Sequence, residues 1–185
     1  MGILSYSMSI SFDGYVEDAT GRFDWAMPDE EVHRAANEQT AQTAVLLYGR
    51  GMFEVMDAFW SSPERAGGGE VEAEFARAYV ATPRIVFSDT LTEVPDGVRL
   101  VRSADAVAEV ERLKEETEGV LGVAGPGLAA ALADQLDEIV PTVVPVVVGG
   151  GKPFLPPGRR FDLTLVEHRA FEASGWTMPR YRVNR

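Results

Sequence analysis

Gly119-Val120-Leu121-Gly122-Val123-Ala124-Gly125-Pro126-Gly127-Leu128 is the stretch that decides the fold. Its uninterrupted run of apolar and small residues suits a strand buried on both faces rather than one with a wet side. The Gly-Pro-Gly that follows closes the strand and opens a helix expected from Leu128 to Gln135, since glycine permits the tight turn and proline belongs in a first helical turn. A buried strand leading straight into a helix is half of a crossover unit, and parallel strands need such crossovers.

The same pattern recurs outward from that stretch. Thr43-Ala44-Val45-Leu46-Leu47-Tyr48 is another short apolar run, closed by Gly49-Arg50-Gly51 and a short helix; Arg84-Ile85-Val86-Phe87-Ser88 is a third, preceded by a helix from Glu70 to Val80. Near the N-terminus, Ser5 to Phe12 alternates small polar with larger apolar residues and stops at Asp13-Gly14, which reads as a first strand ending in a turn. Helices are expected from Pro28-Asp29 to about Ala41 and from an N-cap at Ser103 through Lys114. Val98 to Val101 is a minor strand, and Ile139 to Val148 is a longer one interrupted by proline. Phe161 to Phe171 and Trp176 to Val183 form two neighbouring strands at the end. Residues 17–27 read as a long loop with two aromatics, and Ser61 to Gly69 as a linker. The expected fold is α/β: one domain over residues 1–185, with a mostly parallel sheet flanked by helices on both faces and a C-terminal antiparallel hairpin.

With 185 residues, 45% of them hydrophobic, the chain is long enough to bury a core without covalent staples. The absence of cysteine excludes disulfides, thiolate metal sites and a cysteine nucleophile. Neither His33 nor His168 has a partner at ligand spacing, so no metal is expected. There is no G-x-S-x-G elbow for a serine hydrolase. A net charge of -12 repels a phosphate backbone, so nucleic acid is not an expected partner. No apolar run reaches the roughly 18 residues of a membrane span, and residues 1–10 alternate rather than form a leader; a cytoplasmic protein without a membrane partner is expected.

Open parallel sheets bind ligands beyond the carboxyl ends of their strands. Three strand ends here offer the chemistry an anion needs. Gly49-Arg50-Gly51 brings backbone amides and a guanidinium, Ser88-Asp89-Thr90 brings hydroxyls, and Gly125-Pro126-Gly127 sets amides at a helix N-terminus. Each is also ordinary strand-to-helix turn chemistry, and Gly122 to Gly127 reads G-x-x-G-x-G rather than the G-x-G-x-x-G of the dinucleotide fingerprint. It is their repetition after successive strands that points to a dinucleotide.

Taken in order, Ser9 to Tyr15, Leu46 to Phe53, Ile85 to Leu91, Val123 to Leu128 and Val146 to Phe154 resemble the dihydrofolate reductase-like superfamily. The resemblance spans nearly the whole chain and is greatest to the branch containing the C-terminal reductase domain of bifunctional riboflavin-biosynthesis proteins. It implies an NAD(P)H-dependent reductase that transfers a hydride to a small planar heterocycle, with NADPH across the strand ends, and a homodimer. Carried onto this chain, it places Gly49 and Arg50 at the adenosine phosphates, Ser88 at the next cofactor strand, and Gly125, Pro126 and Gly127 at the pyrophosphate. Asp13 and Gly14 fall in the loop over the nicotinamide, and Glu31, or its neighbour Glu30, is the nearest match to the acid that binds the ring in folate-reducing members. Asp13 and Glu31 are therefore the expected catalytic acids, and Trp25 and Phe53 the expected substrate contacts. Asp-Gly is also turn chemistry, and acids in a first helical turn are favourable in any helix. Asp89 stands where close relatives often carry arginine; an acid there disfavours a ribose 2′-phosphate, which leaves NADH open beside NADPH. A non-catalytic ligand-binding protein on the same fold, or a structural oligomer built on Val143 to Val148 and the last hairpin, are the alternatives.

Overall fold

β1 (Ile3–Ser11) lies in the middle of the sheet, and its alternation shows why. Leu4, Tyr6 and Ile10 point into the largest apolar cluster, while Ser5, Ser7 and Ser9 fall on the opposite face. In the computed structural model, which describes residues 1–185 apart from the side chain of Ala66, the chain continues as β2 (Tyr15–Asp18), α1 (Glu30–Ala41), β3 (Thr43–Gly49), α2 (Arg50–Trp60), α3 (Pro63–Ala66) and α4 (Glu70–Ala81). Then come β4 (Arg84–Phe87), β5 (Val98–Val101), α5 (Ala106–Glu116), β6 (Val120–Ala124), α6 (Pro126–Ala131), β7 (Glu138–Val144), β8 (Gly151–Pro153), β9 (Leu163–Ala170) and β10 (Thr177–Val183).

The main sheet has the order β5-β4-β3-β6-β1-β7-β10-β9. Every neighbouring pair from β5 to β7 is parallel, and the last two strands join antiparallel, as the sequence pattern implies. One face packs on Ala106, Val110 and Leu113 of α5 and Leu128 and Ala129 of α6. The other is covered by Phe53 of α2 and Phe75 and Tyr79 of α4, with α1 beyond, over Val144 and Phe171. Pairing of β7 with β10 is recorded at Val143 and then at Ile139 and Glu138; Pro141 and Pro179 lie in the interval and have no N–H to give. β9 forms the sheet edge, where Leu163, Leu165 and Val166 are exposed. Among the described residues no helix is long and apolar enough to cross a membrane.

Several local expectations are corrected. Ser103 is not a helix cap: it begins a short 3-10 turn over Ser103–Asp105, and its amide donates to the Asp89 carboxylate at 3.0 Å. The expected linker at 61–69 contains α3, begun by Ser62, with the Arg65 guanidinium 3.8 Å above the Phe59 ring. The expected loop at 17–27 starts inside β2, which pairs with β8 in a separate two-stranded sheet. β7 ends at Val144 instead of Val148, and α6 ends at Ala131 instead of Gln135. Periodicity could not show β2 or the 3-10 turn, because the partners of each, β8 and Asp89, lie far away in sequence.

Tyr6 ties the centre together. Its ring stacks on Phe154 at a centroid distance of 4.3 Å, and its hydroxyl donates to the Phe154 carbonyl at 2.9 Å. Tyr6→Phe is expected to cost about 1 kcal/mol by stranding that carbonyl, and Tyr6→Ala about 3–5 kcal/mol by opening a cavity, as read from urea unfolding. At the other end of the sheet Glu109 on α5 is held by Arg112 (2.7 Å) and by Arg99 of β5. Hydrogen bonding to Arg112, opposed by desolvation and reinforced by Arg99, lowers its carboxyl from 4.5 to about 2. The depressed carboxyl contributes stability above pH 4.5 that is lost as pH falls toward 2. Glu109→Gln is therefore expected to flatten the dependence of the urea midpoint on pH across that window.

Candidate active site

β6 lies between β3 and β1, so Tyr48 of β3 pairs with Ala124 of β6, and the turns after these strands stand side by side. Both turns open into one cleft of about 730 Å³. Its lining divides into two arms, one on each face of the sheet: Phe87 and Ala106 belong to the cluster under α5 and α6, whereas Ser7 and Ser9 lie on the opposite face. One passes the glycine turns toward Phe87, Ser103 and Ala106; the other runs between α1 and the sheet, bordered by Ser7, Ser9, Gln39, Thr40 and Thr142.

The turns present unpaired backbone donors. Neither α2 nor α6 has a side-chain cap at its start, so the first amides of α2, from Arg50 to Met52, have no partner within the helix. In α6 Pro126 carries no N–H, which leaves those of Gly127 and Leu128. A Cβ at Gly51 or Gly127 would meet nothing within 4 Å, so both positions face open space. Gly125 differs: its φ is +100°, a Cβ would lie 3.2 Å from the Met52 Cβ, and its amide donates to the Met8 sulfur at 3.2 Å. Only glycine fits that point without strain. Arg50 borders the cleft from the first turn of α2, with Glu54 at 3.9 Å.

β2 and β8 form a flap at the β1 end of the cleft. Glu17 and Lys152 are register partners there, both border the cleft, and their charged groups are 3.1 Å apart. At Gly151 a Cβ would fall 2.0 Å from the Glu17 carbonyl oxygen, so only glycine lets the two strands close.

Of the residues expected from the sequence, Gly49, Arg50, Gly125, Pro126 and Gly127 all border the cleft. Asp13 does not; its carboxylate accepts from the amides of Val148 and Gly149 at 3.1 and 2.8 Å, tying the first turn to the loop before β8. Desolvation pushes that carboxyl up, but hydrogen bonds from Ser11, Val148 and Gly149 together hold it below its ordinary value. That is the opposite of what a proton donor needs. Gly14, at φ +88°, supplies the carbonyl that accepts from the Phe154 amide at 2.9 Å. Glu31 is exposed in the first turn of α1 and lies outside the cleft, whose border on α1 is Ala36, Gln39 and Thr40. Ser88 is buried, its hydroxyl accepting from the amides of Thr90 and Leu91. Trp25 packs against the cluster of Val32, Val144 and Trp176, and Phe53 against Tyr48 and Tyr79; both are core contacts, while Phe23 and Ala26 border the cleft.

Sequence reasoning missed the serine face of β1 together with Gln39, Thr40 and Thr142. The signal was present in β1, because a strand at the centre of a buried sheet with serine at alternate positions implies a polar space on that face. On α1 no comparable signal exists, since which side faces the sheet depends on where the helix packs.

Residues 3–175 match the family described as RibD C-terminal domain. The chain belongs to that family. Family and fold are those the ordered motifs imply. A protein of Shewanella sp. PV-4, assigned by its name to riboflavin biosynthesis, is similar over 99% of both chains at 23% identity, with a TM-score of 0.72. The diaminohydroxyphosphoribosylaminopyrimidine deaminase/5-amino-6-(5-phosphoribosylamino)uracil reductase of Thermotoga maritima is similar over 99% of this chain at 16% identity, with a TM-score of 0.68; this RibD-family chain spans 57% of it. Dihydrofolate reductase of Enterococcus faecalis, complexed with NADP(H) and RAB-propyl, aligns over 100% of this chain and 98% of its own at 15% identity, with a TM-score of 0.66. The sequence matches no curated protein. The fold is dihydrofolate reductase-like.

The two α6 glycines give a paired test of the turn. Gly125→Ala is expected to lower the unfolding free energy by about 1–3 kcal/mol through the left-handed φ and the Met52 contact. Gly127→Ala, in open space, is expected to stay within about 0.5 kcal/mol of the parent in the same urea titration.

Proposed function

We propose that the protein is an NADPH-dependent reductase that transfers a hydride to a small planar heterocycle. The observation that carries this reading is the pair of glycine turns, Gly49–Gly51 and Gly125–Gly127, side by side at the carboxyl ends of adjacent parallel strands and opening into one cleft. Membership of the RibD C-terminal domain family and likeness to a dihydrofolate reductase that holds NADP(H) support it.

The residues present suit a dinucleotide. Uncapped amides of α2 and α6 would hold the pyrophosphate, and the bare Cα atoms of Gly51 and Gly127 leave room for close approach. The bound cofactor supplies the hydride. The chain's own work is positioning: the turns hold one partner, α1 and the serine face of β1 hold the other, and the flap of β2 and β8 limits water at the mouth. Neither Asp13 nor Glu31 borders the cleft, and the reading gives them no proton to deliver. Tyr48 borders it, but burial pushes its hydroxyl far above the ordinary range, which removes it as an acid at neutral pH.

Asp89 does not argue for NADH. Its carboxylate is engaged by the Ser103 amide, and its carbonyl accepts from the Arg102 guanidinium at 3.0 Å, so a cation stands beside the Ser88-Asp89 turn. Arg50, which borders the cleft, and Arg102, which lies just outside its border beside Ser103, are the groups we assign to the ribose 2′-phosphate. Titration followed by nicotinamide fluorescence and thermal stabilisation should show saturable binding, tighter for NADPH than for NADH. Arg50→Ala and Arg102→Ala should each weaken NADPH by about tenfold and NADH by less than about twofold, the loss of one charge-assisted contact. Equal losses for the two cofactors would remove both arginines from the 2′-phosphate, and no saturable binding of either would sink the reading.

A further inference from the structure

Among the described residues three charged side chains border the cleft: Glu17, Arg50 and Lys152. Arg50 belongs to the arm of the glycine turns, at the start of α2. The other arm, between α1 and the sheet, is bordered by hydroxyls, the Gln39 amide and apolar side chains, with no charge of its own. Lys152 is the one other cation that borders the cleft, and that charge is already matched by Glu17 at 3.1 Å across the β2–β8 ladder.

A phosphate monoester is held by arginine or lysine donors, or by converging amides, and it brings close to two negative charges. To reach Lys152 it would have to displace the Glu17 carboxylate and then sit beside it, a like-charge contact. The net charge of -12 opposes its approach at longer range. An uncharged ring with carbonyl, N–H or hydroxyl edges meets none of these costs, and the hydroxyls and amide of the arm offer it matching partners.

We propose that the acceptor is an uncharged, phosphate-free planar ring compound, and that Glu17 is the specificity residue that turns away its phosphorylated counterpart by holding Lys152. The proposal rests on the reductase reading for the location of the acceptor arm. It parts from the Thermotoga relative, whose name specifies a phosphoribosyl compound.

Riboflavin and flavin mononucleotide share one ring and differ by a terminal phosphate, so their fluorescence quenching by the full chain isolates that group. Riboflavin is expected to bind at least about tenfold more tightly than the mononucleotide, roughly 1.4 kcal/mol. Glu17→Gln, which frees Lys152, should shrink the ratio below about threefold by tightening the mononucleotide, and Lys152→Gln should leave riboflavin within about twofold of the parent without improving the mononucleotide. Circular dichroism of each variant checks that the flap substitution leaves the fold intact. Equal or tighter binding of the mononucleotide by the parent chain overturns the proposal. So does a ratio unmoved by Glu17→Gln in a folded variant, and so does a lack of quenching by either flavin. A separate NADPH titration keeps the two failures apart: no NADPH binding with the riboflavin preference intact defeats the cofactor reading and leaves the specificity standing.

Discussion

The parallel pairing of β6 with β3 on one side and β1 on the other is the constraint on which the rest of the structure depends. It places a late strand of the parallel set between two earlier ones. The approach is close: a Cβ at Gly122 would come within 3.1 Å of the Thr43 methyl. Because strands end in register, the turn after β3 and the turn after β6 cannot be far apart, and their unpaired amides face one space. Had β6 added at the sheet edge, the same glycine turns would have been two isolated helix starts with no common ligand.

Around that pairing the polar groups divide by task. Some have partners inside the protein: Asp13 fastens the β1 turn to the loop before β8, Ser88 closes its own turn, and Asp89 holds the corner before α5. Those bordering the cleft are uncharged on the α1 side and cationic at the glycine turns. In an acidic chain a local cation and a set of oriented amides can still attract an anion, since contacts at short range outweigh a diffuse opposing charge screened within about 8 Å. The arm on the α1 side has no such means.

The flap shows how a loop becomes part of a site. Residues 15–18 and 151–153 are short strands that pair only with each other, so their geometry is fixed by glycine at 151 and by anchors at Asp13 and Phe154 rather than by the main sheet. A two-stranded ribbon is marginal in water by itself. Its hold on the body comes through the turn at Gly14 and the buried ring of Phe154 stacked on Tyr6, which couples the mouth of the cleft to the centre of the core.

The class of sheet, the order of its main elements and the glycine turns at the cleft are legible in the residues alone. These are local properties: apolar runs, turn residues and caps act over a few residues, and their periodicity survives without knowledge of any partner. Five of the expected site residues, Gly49, Arg50, Gly125, Pro126 and Gly127, are turn residues of that kind, and all border the cleft. The acids and aromatics were a different matter. What surrounds Asp13, Glu31, Trp25 and Phe53 is set by the fold: backbone amides engage the first, solvent the second, and core side chains the two aromatics. Those surroundings come from chain packing, because a side chain's neighbours in space are not its neighbours in sequence. The pairing of Glu17 with Lys152 across the flap, 135 positions apart in the chain, is of the same origin.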